Sequence, residues 1–290
     1  MFGKRKRILE ISLYLLPALI FIGFVYIFPL TKIFQYSFSR IKGAELTNVG
    51  LRNYENMFGE KLFFDAIKHN LTLLILVPVI LILSIFFAIL LYERMKGWKF
   101  YRFVTFVPYI LAIPVIGVIF RQFFRLDGIL NNILEKIGLE SMVQDWIGSP
   151  STALGALMIV IIWKEMGFGI ILILARLMNV NKDLYEAADI DGANWIRKHV
   201  YITIPQITTV LSFYTIILII TMISWVFNYV YIITMGGPGT ATVVLEYYIY
   251  KQAFNWNNMG MASAGAVILF LFTLVFVIIY TKVRASEELE

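Results

Sequence analysis

The stretch Asp183-Leu-Tyr-Glu-Ala-Ala-Asp-Ile-Asp-Gly192, running on to Ile202-Thr-Ile-Pro205, is a short polar segment set between two long apolar runs. Asp183 can cap a helix whose third position is Glu186, a capping-box-like pair. Ala187 and Ala188 favour helix, and Gly192 suits a left-handed stop. A second amphipathic piece, Ala193 to Tyr201, leads back to the apolar run at Pro205. Such a helix can project from a membrane domain and dock in a groove of another protein, or it can lie flat on the bilayer. Spacing alone leaves both open.

The apolar runs on either side belong to a chain of 290 residues, 60% apolar and 15% charged. A soluble domain is nearer 45–50% apolar and about 25% charged, so the composition points to a chain solvated by lipid. It excludes disorder, collagen and coiled coil. With no cysteine, disulfides, thiolate metal sites and cysteine nucleophiles are excluded as well. His69 and His199 are far apart and neither has a second histidine at helical spacing, which argues against zinc.

A membrane span needs about 20 mostly apolar residues. Six segments qualify: 8–31, 70–92, 103–120, 151–175, 205–232 and 262–281. The first follows Lys4-Arg5-Lys6-Arg7, but its run is longer than a signal-peptide core and no small-x-small site follows, so it reads as a retained anchor. The inner segments 1–10, 93–102, 176–204 and 282–290 are more than twice as rich in Lys and Arg per residue as the outer segments. This distribution predicts both termini inside. The net charge of +6 is thereby assigned to orientation in the membrane and to no nucleic-acid partner. Trp98, Trp146 and Trp256 fall near the expected interfaces. Prolines 17, 29, 78, 108 and 114 lie in or at the ends of spans, where neighbouring helices can satisfy the freed backbone. The expected organisation is an anchor helix and outer loop over 1–69, a five-helix core over 70–282 containing the loop 183–205, and a tail over 283–290.

The pattern Glu-Ala-Ala, three residues, Gly, nine residues, Ile-x-Ile-Pro resembles the EAA loop of binding-protein-dependent ABC importer permeases. It departs from that pattern at Ile204, often Leu, and at Val180-Asn181, usually Ile-Pro. The likeness extends through Pro108-Tyr109, Phe120-Arg121, Trp163-Lys164, Leu174-Ala-Arg-Leu177, Thr234-Met-Gly-Gly-Pro238 and Met259-Gly-Met-Ala-Ser-Ala264. Together these are similar to carbohydrate permeases of the maltose and glycerol-3-phosphate type. The resemblance implies an all-α, six-span, N-in/C-in type I importer (MetI-like) fold in a prokaryotic inner membrane. It implies a coupling helix whose Glu186, Ala187, Ala188, Asp191 and Gly192 meet an ATPase. It also implies a second homologous permease, two ABC ATPase subunits and an extracytoplasmic solute-binding protein as partners, with lipid around them.

No G-x-x-x-x-G-K-[ST] phosphate loop is present, so ATP and magnesium are expected on a separate ATPase, and no cofactor on this chain. Charges inside a span cost about 2.5–3.5 kcal/mol at mid-helix, which singles out Lys164 and Glu165. Being adjacent, they point about 100° apart, so each is expected to meet a partner on another helix or a wet cavity; a structural ion pair between helices is the other reading. Thr221, Ser224, Trp225 and Asn228 fall at i, i+3, i+4 and i+7 in the fifth span, either as interhelical glue or as a sugar-facing stripe. The resemblance adds Tyr109 and Phe168 as substrate contacts, with Trp163 nearby, and places Glu165 where a relative has glycine.

The function that follows is uptake of a sugar, a di- or oligosaccharide, by alternating access, with a solute such as glycerol-3-phosphate as the alternative. An integral membrane transferase would need clustered acids for magnesium, and Asp189 and Asp191 stand without a second cluster. A secondary transporter would be expected to show internal pseudo-symmetry, which is not visible here.

Overall fold

The computed structural model describes residues 12, 14–43 and 45–287, with side chains as far as residue 282. The basic run 4–7 and the end of the tail, 288–290, lie outside the described residues. In chain order the elements are helix α1 (Tyr14–Ser37), the antiparallel strands β1 (Ser39–Lys42) and β2 (Glu45–Asn48), α2 (Arg52–Phe58) and α3 (Lys61–Tyr92). There follow α4 (Trp98–Ile110), α5 (Ile113–Phe123), α6 (Ile129–Lys136), α7 (Ala153–Leu177), α8 (Asp183–Ile190), α9 (Trp195–Ser224), α10 (Leu245–Tyr250) and α11 (Met259–Glu287). α1, α3, α7, α9 and α11 are long and apolar enough to cross a membrane.

The third span, expected as one run, is broken. Between Trp98–Ile110 and Ile113–Lys136 the axis turns by 105°. Leu111 and Ala112 are extended, with ψ of 133° and 140°. A continuing helix would need an N–H at position 114 for the Ile110 carbonyl, and Pro114 has none. Proline is well tolerated in the first turn of a new helix, where it sits in α5.

The chain forms two compact units, one ending at Lys61 and resumed by Tyr248–Leu271, the other Leu62–Tyr247 with the chain from Phe272 onward. In the first, Asn53 Nδ2 donates to the carbonyls of Ser37 and Ser39, both at 2.9 Å, tying α2 to the end of α1 and the hairpin. Glu60 Oε2 accepts from Tyr248 Oη at 2.8 Å and Gln252 Nε2 at 3.1 Å. Leu19, Ile20 and Phe24 on α1 are exposed, as lipid-solvated side chains are.

In the second unit, α3, α7 and α9 share a core of Ala88, Ile89, Ile170, Ile173, Leu177 and Ile207. Side chains of α3 and α9 close on α7 at Gly169, where an added Cβ would lie 2.3 Å from the Tyr214 ring and 2.5 Å from Ser84 Oγ. In lipid there is little hydrophobic drive between helices, and such small-residue contacts carry the packing.

Candidate functional site

The adjacent charges of α7 take different hydrogen-bond partners. Lys164 is 7% exposed, and its Nζ donates to the carbonyls of Pro108 at 3.3 Å, Tyr109 at 2.9 Å and Leu111 at 3.0 Å. These are the carbonyls that the break after α4 leaves without helical N–H partners. The ammonium therefore acts as a cap supplied from another helix, and it lies 5.4 Å from the Tyr109 ring centroid.

Glu165 turns to a cavity of about 260 Å³ lined by Tyr109, Ile113, Glu165, Phe168, Ile217, Thr221, Trp225 and Tyr229. Its Oε1 accepts the Tyr229 hydroxyl at 2.6 Å, and its backbone carbonyl accepts the Tyr214 hydroxyl at 2.7 Å. Tyr109 stacks on Phe168 with centroids 4.9 Å apart and planes at 22°. Thr221 spends its hydroxyl proton on the Ile217 carbonyl at 2.8 Å. The wall thus combines flat aromatic faces with oxygen acceptors at the level of the helix break.

Of the residues expected on the path, Tyr109, Glu165, Phe168, Thr221 and Trp225 line this cavity. Trp163 instead packs edge-on against Phe120 at 5.1 Å, and Ser224 pairs with Thr273 at 3.0 Å. The stripe expected to run unbroken to Asn228 is interrupted, because α9 ends at Ser224. Asn70 of α3 causes the interruption: its Nδ2 donates to the Met222 and Ile223 carbonyls at 3.0 and 3.3 Å. Those carbonyls would otherwise take the N–H groups of residues 226 and 227. Asn228 is not among the cavity-lining residues. Tyr214 and Tyr229 were missed in the sequence. Tyr214, seven residues before Thr221, lay on the same helical face and was legible there; Tyr229 lies beyond the break.

On the loop, α8 starts one residue earlier than the capping reading required. Asp183 is the first helical residue, and the carboxamide of Asn181 accepts its N–H at 3.1 Å. The stop is as expected: Gly192 has φ +70°, Gly192 N donates to the Asp189 carbonyl at 3.2 Å and Ala193 N to Ala188 at 2.9 Å. That pair of bonds is a Schellman motif. Glu186, Ala187 and Asp191 are exposed, while Ala188 faces inward at 8% exposure. Lys198 pairs with Asp189. Glu93, two residues before Met95 in the preceding inner loop, accepts Trp195 Nε1 on both oxygens at 3.0 Å and hydrogen-bonds His199 Nε2 at 3.0 Å. His199 Nδ1 and Tyr185 Oη then meet at Thr203 Oγ1, 2.7 and 3.0 Å away. No sequence signal links Glu93 to residues about a hundred positions on.

Similarity to known proteins agrees with this architecture. Residues 71–286 match the family "Binding-protein-dependent transport system inner membrane component". The chain is 34% identical to the probable ABC transporter permease protein YurN of Bacillus subtilis, over 93% of this chain and 94% of that one. It is 31% identical to the sulfoquinovosyl glycerol transport system permease protein SmoG of Agrobacterium fabrum, covering 97% and 92%. The crystal structure of a bacterial ABC transporter involved in the import of the acidic polysaccharide alginate aligns with a TM-score of 0.84 at 25% identity, over 98% of both chains. The chain belongs to the binding-protein-dependent transport system inner membrane component family: it is a multi-pass inner-membrane permease subunit of an ABC importer, and not itself an enzyme.

Proposed function

We propose that the chain forms half of the transmembrane pore of a sugar importer, moving a di- or oligosaccharide by alternating access. The observation that carries this is the cavity at the helix break. Stacked Tyr109 and Phe168 offer faces for the C–H side of a sugar ring, and Glu165, Thr221 and Tyr229 offer oxygens for its hydroxyls. At about 260 Å³ it falls below the roughly 300–1,000 Å³ of whole small-molecule pockets, in keeping with a second permease supplying the opposite wall. Relatives named for arabinooligosaccharide and lactose transport support the substrate class.

Two cytoplasmic ATPases using ATP and magnesium would grip α8, through Glu186, Ala187, Ala188, Asp191 and Gly192, and a solute-binding protein would deliver the sugar from outside. The five-helix core 70–282 would carry the path and the coupling loop 183–205. The test is reconstitution of the complete importer in proteoliposomes with labelled oligosaccharides. ATP-dependent uptake of at least one neutral oligosaccharide is expected, and an assembled, ATP-hydrolysing complex that imports none of them overturns the reading. Glu186→Ala is expected to keep ATP hydrolysis and lose uptake; normal uptake removes the coupling role from Glu186.

A further inference from the structure

Glu165 carries a consequence beyond general sugar binding. A census of hydrogen-bonding capacity around it is one-sided. The Tyr229 hydroxyl proton is spent on Glu165 Oε1, and the Thr221 hydroxyl proton on the Ile217 carbonyl. The adjacent cation, Lys164, is spent on three carbonyls and does not line the cavity. Among the described residues no protein donor reaches Glu165 Oε2, and that atom is not buried. The wall therefore presents acceptors, with only the Tyr109 hydroxyl and the Trp225 indole left to donate.

An acceptor wall with a carboxylate selects solutes that bring donors. Hydroxyl and ammonium groups are donors, whereas ionised carboxylates, phosphates and sulfonates only accept. Like charges juxtaposed in a recognition site are a strong means of rejecting the wrong partner. Resting on the sugar-permease reading, we propose that Glu165 is a specificity-determining residue that admits neutral and amine-bearing glycosides and refuses anionic ones. Alginate, the acidic cargo of the structural relative, is of the refused class.

The test uses the whole importer in lipid nanodiscs without its binding protein, so that only the pore selects. Equilibrium binding is measured for three labelled trisaccharides: maltotriose, the glucosamine trimer and the galacturonic acid trimer. The first two are expected to bind at least about tenfold more tightly than the third. Glu165→Gln, which keeps the side-chain volume and an acceptor for Tyr229, is expected to close that gap, read as the ratio of the galacturonic acid trimer and maltotriose dissociation constants. Tyr229→Phe, which keeps the carboxylate, is expected to retain the gap. A galacturonic acid trimer that binds the wild type as well as maltotriose overturns the proposal, as does a gap that survives Glu165→Gln. If Glu165→Gln fails to assemble, the wild-type order and Tyr229→Phe decide. In proteoliposomes with the binding protein restored, ATP-driven uptake of all three trimers alike overturns this proposal and spares the sugar reading, whereas binding and uptake of none overturns both.

Discussion

In the mid-membrane cavity, Glu165 gives one oxygen to Tyr229 and leaves the other open; at the cytoplasmic loop, both oxygens of Glu93 are taken by Trp195 and one of them also by His199. Two carboxylates thus occupy opposite roles. A charge whose bonding capacity is filled by its own chain is a fastener, while one with capacity left over is a place for something else to bind. Lys164 belongs with Glu93, since its three hydrogen bonds match the three protons of an ammonium. Glu246, on α10, is a third kind. Asn70 Nδ2 reaches one of its oxygens at 3.3 Å, and the other is buried without a hydrogen bond.

Breaking a fastener should cost most. Lys164→Met leaves the carbonyls of Pro108, Tyr109 and Leu111 without their donor, and a loss of roughly 3–5 kcal/mol is expected, read as a fall in the thermal midpoint of the detergent-solubilised complex. A midpoint within a degree of wild type would show that Lys164 is not filled in the way described. Glu246 gives the next effect, through pH. Burial pushes its pKa up to about 7, the Asn70 amide pulling the other way. A raised carboxyl pKa means that the folded state holds the proton more tightly. Its contribution is therefore complete below about pH 4.5 and is lost as pH rises through 7, by up to roughly 3 kcal/mol. Glu246→Gln should flatten that decline between pH 5 and 8, and an unchanged slope would assign the decline to other groups.

Glu93→Ala should cost about 1–2 kcal/mol, less than a buried charge pair because its side chain is 37% exposed. It should also raise the ATP hydrolysed per solute imported, because α9 loses its hold on the inner loop. Equal coupling at equal assembly would reduce Glu93 to a surface contact. Glu165→Gln should change stability least, about 1 kcal/mol, since Tyr229 keeps a neutral acceptor. A loss as large as that of Lys164→Met would make Glu165 a fastener too, and the comparison would fail.

What could be read from the sequence follows the same line. Spans, charge bias and the α8 loop depend on neighbours in the chain, so periodicity, Lys and Arg density and the Gly192 stop reveal them. Gly192 ends α8 by its own left-handed φ, its N–H bond to Asp189 and the bond from the next N–H, Ala193, to Ala188. The Asp183 cap failed by one residue: the N–H groups of Tyr185 and Glu186 go to the Lys182 carbonyl, and the Asp183 N–H goes to the Asn181 carboxamide. The breaks are different. Pro108 and Pro114 hint at a bend in the third span, but its carbonyls are filled by Lys164, more than fifty residues away. The end of α9 at Ser224 carries no proline or glycine; it is imposed by Asn70, about 150 residues earlier. A helical wheel drawn through Asn228 had no means of registering that interruption.

The grip of Lys164 on α4 also limits how this region can deform. Drawing α7 away from the end of α4 would strip an ammonium of all its partners at once, a step opposed by several kcal/mol. Over an access cycle, then, α7 and the α4 terminus are expected to move together, with the stacked Tyr109 and Phe168 between them. A second break lies after Ser224, where two rungs of the helical ladder go to the Asn70 side chain before helix resumes at Phe227. Alternating access in this subunit is thereby framed by two features: a coupled arm bearing the aromatic wall, and a helix break beside it.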